Sequence, residues 1–410
     1  MTSTSQRQAL VDLANPATLP DPYPILAGLR EVSPFVEFDG ALVVVGRHAD
    51  IGAVLRHPNA SSERGKSLLT TPAVSRRIRE RPSFLSLDPP DHTRLRRLVS
   101  KAFTPRRIAL LEPRIKAITD ELLTAAGAAG HLELVSQLAY PLPVRIISEM
   151  LGVPVSDHPR FAGWSARLAH SLQPGFGVAP EEAQARAEAA EAASEEFAAY
   201  FRELIALRRA KPEADLLSAM IATEDAGDQL TEDELIATCV LLLVAGHETT
   251  VGLISNAVLA LLRHPDQFAL LRSRPELASG AVEETLRYDA PVQLTGRVAR
   301  GGLEVGGVQA RDGALVMLLL AAAGRDPEAY EEPDRFDIER GASNHLAFAA
   351  GAHFCLGAPL ARLEATVAVG RIAQRVVAPS LAEGGLAYKP NLNLRGPERL
   401  VVDFAEITGS

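Results

Sequence analysis

Cysteine is scarce in this 410-residue chain: there are two, Cys239 and Cys355. Residues so far apart in a pair cannot build a disulfide framework, and the usage reads as that of a reducing compartment. A structural zinc site needs more ligands than the chain gathers around Cys355. Excess positive charge is missing as well. Lys and Arg number 42 against 51 Asp and Glu, and the resulting net charge of −9 argues against nucleic acid as the main partner. A local basic patch remains compatible with it. Uninterrupted apolar runs are short; the most apolar, Leu241 to Ala245 and Ala314 to Ala323, cannot span a bilayer by themselves. The opening residues, MTSTSQRQALVDLANPATLP, carry no charged-then-apolar leader pattern. The expectation is a soluble, cytoplasmic, monomeric protein with no membrane and no nucleic-acid partner.

What the chain does have is apolar content. Hydrophobic residues make up 47% and charged residues 23%, enough for a large buried core and far from a disordered composition. The length admits two to three domains of about 150 residues. No repeat and no linker-like shift separates them, so a single domain over 1–410 is expected. Phe35 to Val45 reads as a hairpin around Asp39-Gly40, and 61–82 as a long loop with helical pieces. Helical signals then dominate. Thr104-Pro105 opens a periodic run to about Ala126. LPVRIISEMLGVP is a helix stopped by Gly152 and Pro154, and Glu181 to Arg209 is a long Ala/Glu-rich one with a single packed face. Thr231 and Glu234 form a capping box at the head of a run reaching about Arg263, roughly 45–50 Å at 1.5 Å per residue. Glu276 to Arg287 is helical, Val292 to Leu320 strand-like with Gly-rich turns, and the stretch to Gly351 irregular. A helix after Cys355 and strands in LRGPERLVVDF close the chain. The class is mainly α with a smaller β-rich part.

Three stretches carry chemistry. A lone cysteine is ordinarily a small buried hydrophobe, but Cys355 stands between Gly351 and Gly357 with alanines at 349, 350, 352 and 358. Small residues let a backbone approach something flat and large. Pro359 suits a first helical turn, and a thiolate at a helix N-terminus is favoured by the dipole and the free N–H groups. A nucleophile paired with His353 would lack a third member and an oxyanion donor. What remains is one thiolate on a metal whose other ligands are not protein, and haem iron fits that description. In VAGHETTVG, a zinc-protease reading would need a histidine where Val251 stands. Gly246 costs the helix about 1 kcal/mol relative to alanine, and Glu248 and Thr249 would be buried polar groups in need of a use; a carboxylate and a hydroxyl beside a reaction centre suit proton delivery. In DPPDHTRLRRLVSKAFTPRR, His92 and Arg96 lie four apart among Arg94, Arg97, Lys101, Arg106 and Arg107. That is either a solvated basic helix or one that binds carboxylates on one face and an acidic protein on the other. Glu284 and Arg287, three apart, are by themselves an intrahelical ion pair of about 0.2–0.5 kcal/mol.

Together these stretches, in this order over nearly the whole chain, resemble a soluble bacterial cytochrome P-450, a haem-thiolate monooxygenase. The family's loop of Phe, Gly, any, Gly, any, His, any, Cys, any, Gly is met by Phe348, Ala349, Ala350, Gly351, Ala352, His353, Phe354, Cys355, Leu356 and Gly357, with Ala349 the one departure. The resemblance implies heme b (iron protoporphyrin IX) between the long central helix and the Cys-loop helix. Cys355 would be the proximal iron ligand, with Phe348 and Gly246 beside the ring and His92, Arg96, Arg297 and His353 on its propionates. Glu248 and Thr249 would steer protons to bound O2, and Glu284, Arg287 and Arg335 would form a structural triad behind the loop. It implies a ferredoxin-type electron donor on a basic face around Arg97, Lys101 and Arg362. The pocket for a small hydrophobic substrate would draw on Leu241, Leu242, Val244, Ala245, Val292, Leu294, Thr295 and Leu394, with the stretches Leu68 to Ile78 and Leu172 to Val178. A peroxide-driven peroxygenase or a non-catalytic haem sensor would use the same ligand. Cys239 is expected to be a buried structural thiol.

Overall fold

Local signals set most of the elements that carry the site, and long-range pairing sets where they meet. The computed structural model describes residues 3–70, 82–170, 180–225, 227–341 and 344–409. Two stretches expected at the pocket, 71–78 and 172–178, lie outside the described residues. Five helices position the site: α1 (Asp91–Ala102), α2 (Pro141–Met150), α3 (Glu232–Arg263), α4 (Ala278–Tyr288) and α5 (Ala358–Arg375).

The capping box opens α3 as its sequence demands. Glu234 N donates to Thr231 Oγ1 at 3.3 Å, and Thr231 N donates to Glu234 Oε2 at 2.9 Å. The helix then runs 32 residues, about 48 Å, through the core. By length and mean hydropathy α3 is apolar enough to cross a membrane, although no uninterrupted run suggests it. Most of its apolar window is buried inside the molecule, which marks it as a core helix. It packs on α2, α4 and α5, and these helices share one large apolar cluster. Thr104 does cap a helix, Oγ1 accepting from Arg107 N, but that helix ends at Ala109 and a second runs Glu112–Ala129. The single helix read from the periodicity is thus two. Pro113 in the first turn of the second cannot supply the N–H that continuation would need.

The strands assemble from both ends of the chain. β1 (Phe35–Glu37) and β2 (Leu42–Val45) form the expected hairpin, with Phe38, Asp39 and Gly40 all at positive φ. β3 (Ala60–Ser61), β4 (Thr295–Ala299) and β5 (Leu315–Leu318) complete a five-stranded sheet of order β1-β2-β5-β4-β3. The β2–β5 pairing is parallel and joins residues more than 270 positions apart in sequence, Leu42 to Leu315. β6 (Ser380–Tyr388) and β7 (Pro397–Asp403) pair antiparallel, and the turn between them is stitched to the residues before β4 by the bridge Val292–Leu394.

Inside α5, Glu364 is 1% exposed and neither carboxyl oxygen has a hydrogen-bond partner. Burial pushes its pKa up to about 8. A carboxyl raised in the folded state costs stability as soon as the unfolded chain ionises. The loss therefore grows as pH rises from about 4.5 to about 8 and is constant above. Glu364→Gln should remove that slope, and denaturant titrations at pH 8 should find the variant more stable by roughly 3 kcal/mol or more; at pH 4 the two proteins should match.

Candidate active site

The loop ahead of α5 is shaped by two left-handed residues. Gly351 has φ +70°, and a Cβ there would lie 2.5 Å from the carbonyl oxygen of Leu55, so glycine is required. Ala349 has φ +56°, which costs a non-glycine residue about 1 kcal/mol. Its amide is held by Leu346 O at 2.8 Å. Phe348 O accepts from Cys355 N at 3.0 Å and closes the loop. The sulfur then sits half-buried at the mouth of α5, where the amides of Gly357 and Ala358 donate to it. Burial pushes the thiol up, while these amides, Arg96 and Arg362 oppose that. A bound metal decides such a contest for the thiolate outright.

Beside the sulfur lies a cluster of histidines and arginines. The rings of His92 and His353 lie 4.0 Å apart, tilted at 38° to each other. His92 comes from α1, and both of its ring nitrogens are buried without a partner. Arg297 comes from β4, is 4% exposed, and donates to Gly296 O at 2.9 Å. Arg96 reaches Phe354 O at 2.5 Å. Burial, His92 and Arg297 push His353 down to about 3; burial and Arg64 push Arg297 down to about 10. Asp88 is the acid these groups feel, and it is already held by Ser61 Oγ, the amide of Ser62 and Arg300. The Arg297 and Arg64 guanidiniums repel each other and, beside two histidines that burial keeps neutral, need an anion. Two carboxylates on a flat ring over the sulfur satisfy that need with charge-assisted hydrogen bonds, so the residues fit a haem. Arg64 belongs to the same cluster: its Nε is buried without a partner, and burial pushes its guanidinium down. Its neighbours SSERGKS offer no local signal for such a role.

On α3 the burial pattern breaks where the motif stands. Ala245 is exposed in the middle of an otherwise buried helix, and Leu241, Val244, Gly246, Glu248 and Thr249 are only half-buried. Positions 241, 244, 245 and 248 share one face, the side on which the helix is not fully buried. A methyl on Gly246 would touch only Ile147, at 3.6 Å, so the protein itself does not demand glycine there. Thr249 Oγ1 donates to Ala245 O at 2.8 Å, Thr250 Oγ1 to Gly246 O at 2.9 Å, and His247 Nδ1 pairs with Leu243 O at 2.7 Å. Glu248 accepts from Lys389 Nζ at 2.9 Å and has His247 Nε2 3.5 Å away. Burial works against its charge, but His247 and Lys389 win and hold its carboxyl down to about 2.

Several expected positions are corrected. Leu242 packs into the main core and Leu294 into a cluster with Leu10, Leu26 and Leu29, and both are buried where Leu241 and Thr295 are only half-buried. The helical turn and the strand alternation direct them away from Leu241 and Thr295. Val292, Thr295 and Leu394 stay half-buried, and the Val292–Leu394 bridge brings two of them together. Arg335 is not the third member of the network behind the loop. Its side chain is 57% exposed and paired with Glu332 and Asp337 on its own turn; only its carbonyl faces inward, accepting from Arg287 at 3.0 Å. The third side chain is Arg340, whose Nε reaches Glu284 at 3.2 Å. Arg287 itself binds both oxygens of Glu284 at 2.8 Å and the carbonyls of Gly324 and Pro333. Arg362 is not a free docking charge either. It grips Glu283 at 2.6 and 3.0 Å and covers the Phe348 ring, and His345 binds the same carboxylate at 3.1 Å. One carboxylate of α4 therefore clamps both flanks of the Cys355 loop.

Comparison with known proteins agrees with this geometry. The family model described as Cytochrome P450 matches residues 39–274 and 271–376. The chain is 43% identical over 373 residues to Cytochrome P450 107B1 of Saccharopolyspora erythraea, covering 88% of each. It is 42% identical to Cytochrome P450 monooxygenase PikC of Streptomyces venezuelae, over 93% of this chain and 91% of that one. Its fold superposes on ligand-free CYP164A2 of Mycobacterium smegmatis with a TM-score of 0.90 at 48% identity, covering 97% of this chain and 100% of the other.

Proposed function

We propose, from the premise that the chain belongs to the cytochrome P450 family and is one of its monooxygenases, that it inserts one oxygen atom of O2 into a small hydrophobic molecule of specialised metabolism. Heme b would sit between α3 and the Cys355 loop of a single domain. The observation that carries the reading is the cluster of arginines and partnerless histidine nitrogens beside a half-buried, amide-bonded sulfur. When bound, the haem supplies dioxygen binding and activation, with the thiolate favouring O–O cleavage.

The chain's own residues do the rest. Cys355 ligates iron, and the Gly357 and Ala358 amides moderate the electron density on its sulfur. His92, Arg96, Arg297, His353 and Arg64 bind the two propionates and set the orientation of the ring. Glu284, Arg287 and Arg340 hold the wall behind the loop, and Glu283 its flanks. The half-buried apolar face of Leu241, Val244 and Ala245, with Val292, Thr295 and Leu394, excludes water and positions substrate. Thr249 holds a proton at Oγ1, and Glu248 is the acid one residue away that resupplies it. Electrons come from an acidic ferredoxin docking near Arg97 and Lys101, on a monomer in the cytoplasm.

Ferric holoenzyme titrated with hydrophobic candidates should shift its haem spectrum, and with a ferredoxin and its reductase it should convert the best binder to a hydroxylated or epoxidised product. If peroxide supports turnover and the reductase system never does, the oxygen source proposed here is wrong. Thr249→Ala should leave substrate affinity nearly unchanged while product per electron consumed falls about tenfold or more and peroxide accumulates; equal coupling in the two proteins would remove Thr249 from proton delivery.

A further inference from the structure

Glu248 is tied to the far end of the chain. Lys389, 141 positions away, directly follows β6, and its Nζ donates to Glu248 Oε2 at 2.9 Å. The backbone around it is fixed, Lys389 N donating to Gly396 O at 3.1 Å and Asn391 N to Lys389 O at 2.7 Å. The position of the ammonium is therefore set by the flexible stem alone. Three titratable groups face Glu248: His247 on its own helix, Tyr140 at the start of α2 and Lys389 from the hairpin. Burial and the charge of Glu248 push the Tyr140 phenol up to about 12, so Lys389 is the permanent charge among them.

Lys389 also borders a second place. A cavity of about 10 Å³ is lined by Lys389, Gln293, Tyr388, Asn391 and Arg395 among others. That volume holds a single water-sized group. Gln293 Oε1 and Tyr388 Oη are buried without hydrogen-bond partners. An ammonium head is close to water in size, has three donors and no acceptor, and so complements two orphan oxygens. Arg395 does not bar it, because its charge is balanced by Asp289 at 2.6 Å.

We propose that Lys389 is a positioning residue with two seats: its ammonium holds Glu248 in the arrangement seen here, and turns into the neighbouring cavity, onto Gln293 and Tyr388, when Glu248 must take up a proton. The inference rests on the reading of Glu248 as the acid that resupplies Thr249. With the ammonium in place the carboxylate cannot be protonated near neutral pH. With the ammonium in the cavity, only His247, 3.5 Å away, still opposes burial, and the carboxyl can more readily take a proton from water and pass it on.

The test is an infrared pH titration of the ferric holoenzyme, which needs no turnover. In the wild type Glu248 should stay ionised down to about pH 4. In Lys389→Met a protonated-carboxyl band should titrate higher by roughly three pH units or more, vanish in Lys389→Met/Glu248→Gln, and be suppressed again in Lys389→Arg. Lys389→Gln repeats the titration should the methionine variant not take up haem. Tyr388→Phe should leave Glu248 ionised yet raise the solvent isotope effect on turnover about twofold, because the second seat has lost an acceptor. No new band on loss of the ammonium, or a band that survives Glu248→Gln, overturns the first seat; an unchanged isotope effect in Tyr388→Phe overturns the second. A wild type that never turns over would sink the monooxygenase reading and leave the titration result standing.

Discussion

Cys355→Ser should yield a protein that still takes up haem but loses the red-displaced absorption of the ferrous carbonyl complex that anionic sulfur produces. Uptake should survive because, on the proposed reading, the ring would be held from its edge by His92, Arg96, Arg297, His353 and Arg64, none of which the substitution touches. The backbone of the loop should survive too. It is shaped by Gly351, by the Phe348–Cys355 bond and by the Glu283 clamp on His345 and Arg362, not by the sulfur. What disappears is the soft, electron-rich ligand that favours O–O cleavage. Reductase-supported product formation should fall by at least about a thousandfold, equivalent to about 4 kcal/mol of barrier. Cys239→Ser is the matched control. Cys239 is wholly buried in the main core, where burial pushes its thiol well up, so its loss should lower stability and leave the spectrum unchanged. A red-displaced carbonyl band in Cys355→Ser would end the assignment of the ligand.

Arg287→Ala should remove the folded holoprotein. The Arg287 side chain is among the largest that are fully buried, and it makes hydrogen bonds to Glu284 and to three carbonyls from the segment between β5 and the Cys355 loop. Breaking a buried pair from one side costs about 3–5 kcal/mol, because the other charge is left uncompensated. Here Glu284 would keep only Arg340 and the amide of Asp337, and the three carbonyls would lose their donor. Typical domain stability is 5–15 kcal/mol, so expression should give little soluble, haem-loaded protein. Arg340→Ala should cost less, about 1–3 kcal/mol, since its one bond to Glu284 is longer and its other bonds go to exposed carbonyls. Arg335→Ala should change stability by no more than about 0.5 kcal/mol, its side chain being an exposed surface pair. The order Arg287, Arg340, Arg335 in denaturation midpoints tests which arginines form the network. An Arg335 effect as large as that of Arg340 would contradict it.

That misplaced arginine shows where one-dimensional reading stops. EEPDRFDIER contains two arginines five apart on an irregular turn. Spacing alone gives no reason to prefer Arg340, because an irregular segment has no period that says which side chain points inward. The same limit explains Leu242 and Leu294, which sit one residue away from half-buried neighbours. It explains Arg64 as well, which reaches Arg297 only because β3 pairs with β4.

The chain alone determined whatever depends on a few neighbouring residues. Thr231 and Glu234 start the central helix by satisfying each other's backbone groups. Glycine at 351 answers a local clash, and Cys355 stands where a helix N-terminus supplies N–H groups. The motif set, in its order, was enough to name the family. Only the tertiary structure decided which charges meet: Lys389 on Glu248, Arg340 on Glu284, Arg362 and His345 on Glu283, Arg64 beside Arg297. These partners are separated by 56 to 233 positions, and their encounter is set by packing and strand pairing. Electrostatic and hydrogen-bond energies depend on distance in space, and separation along the chain says nothing about it.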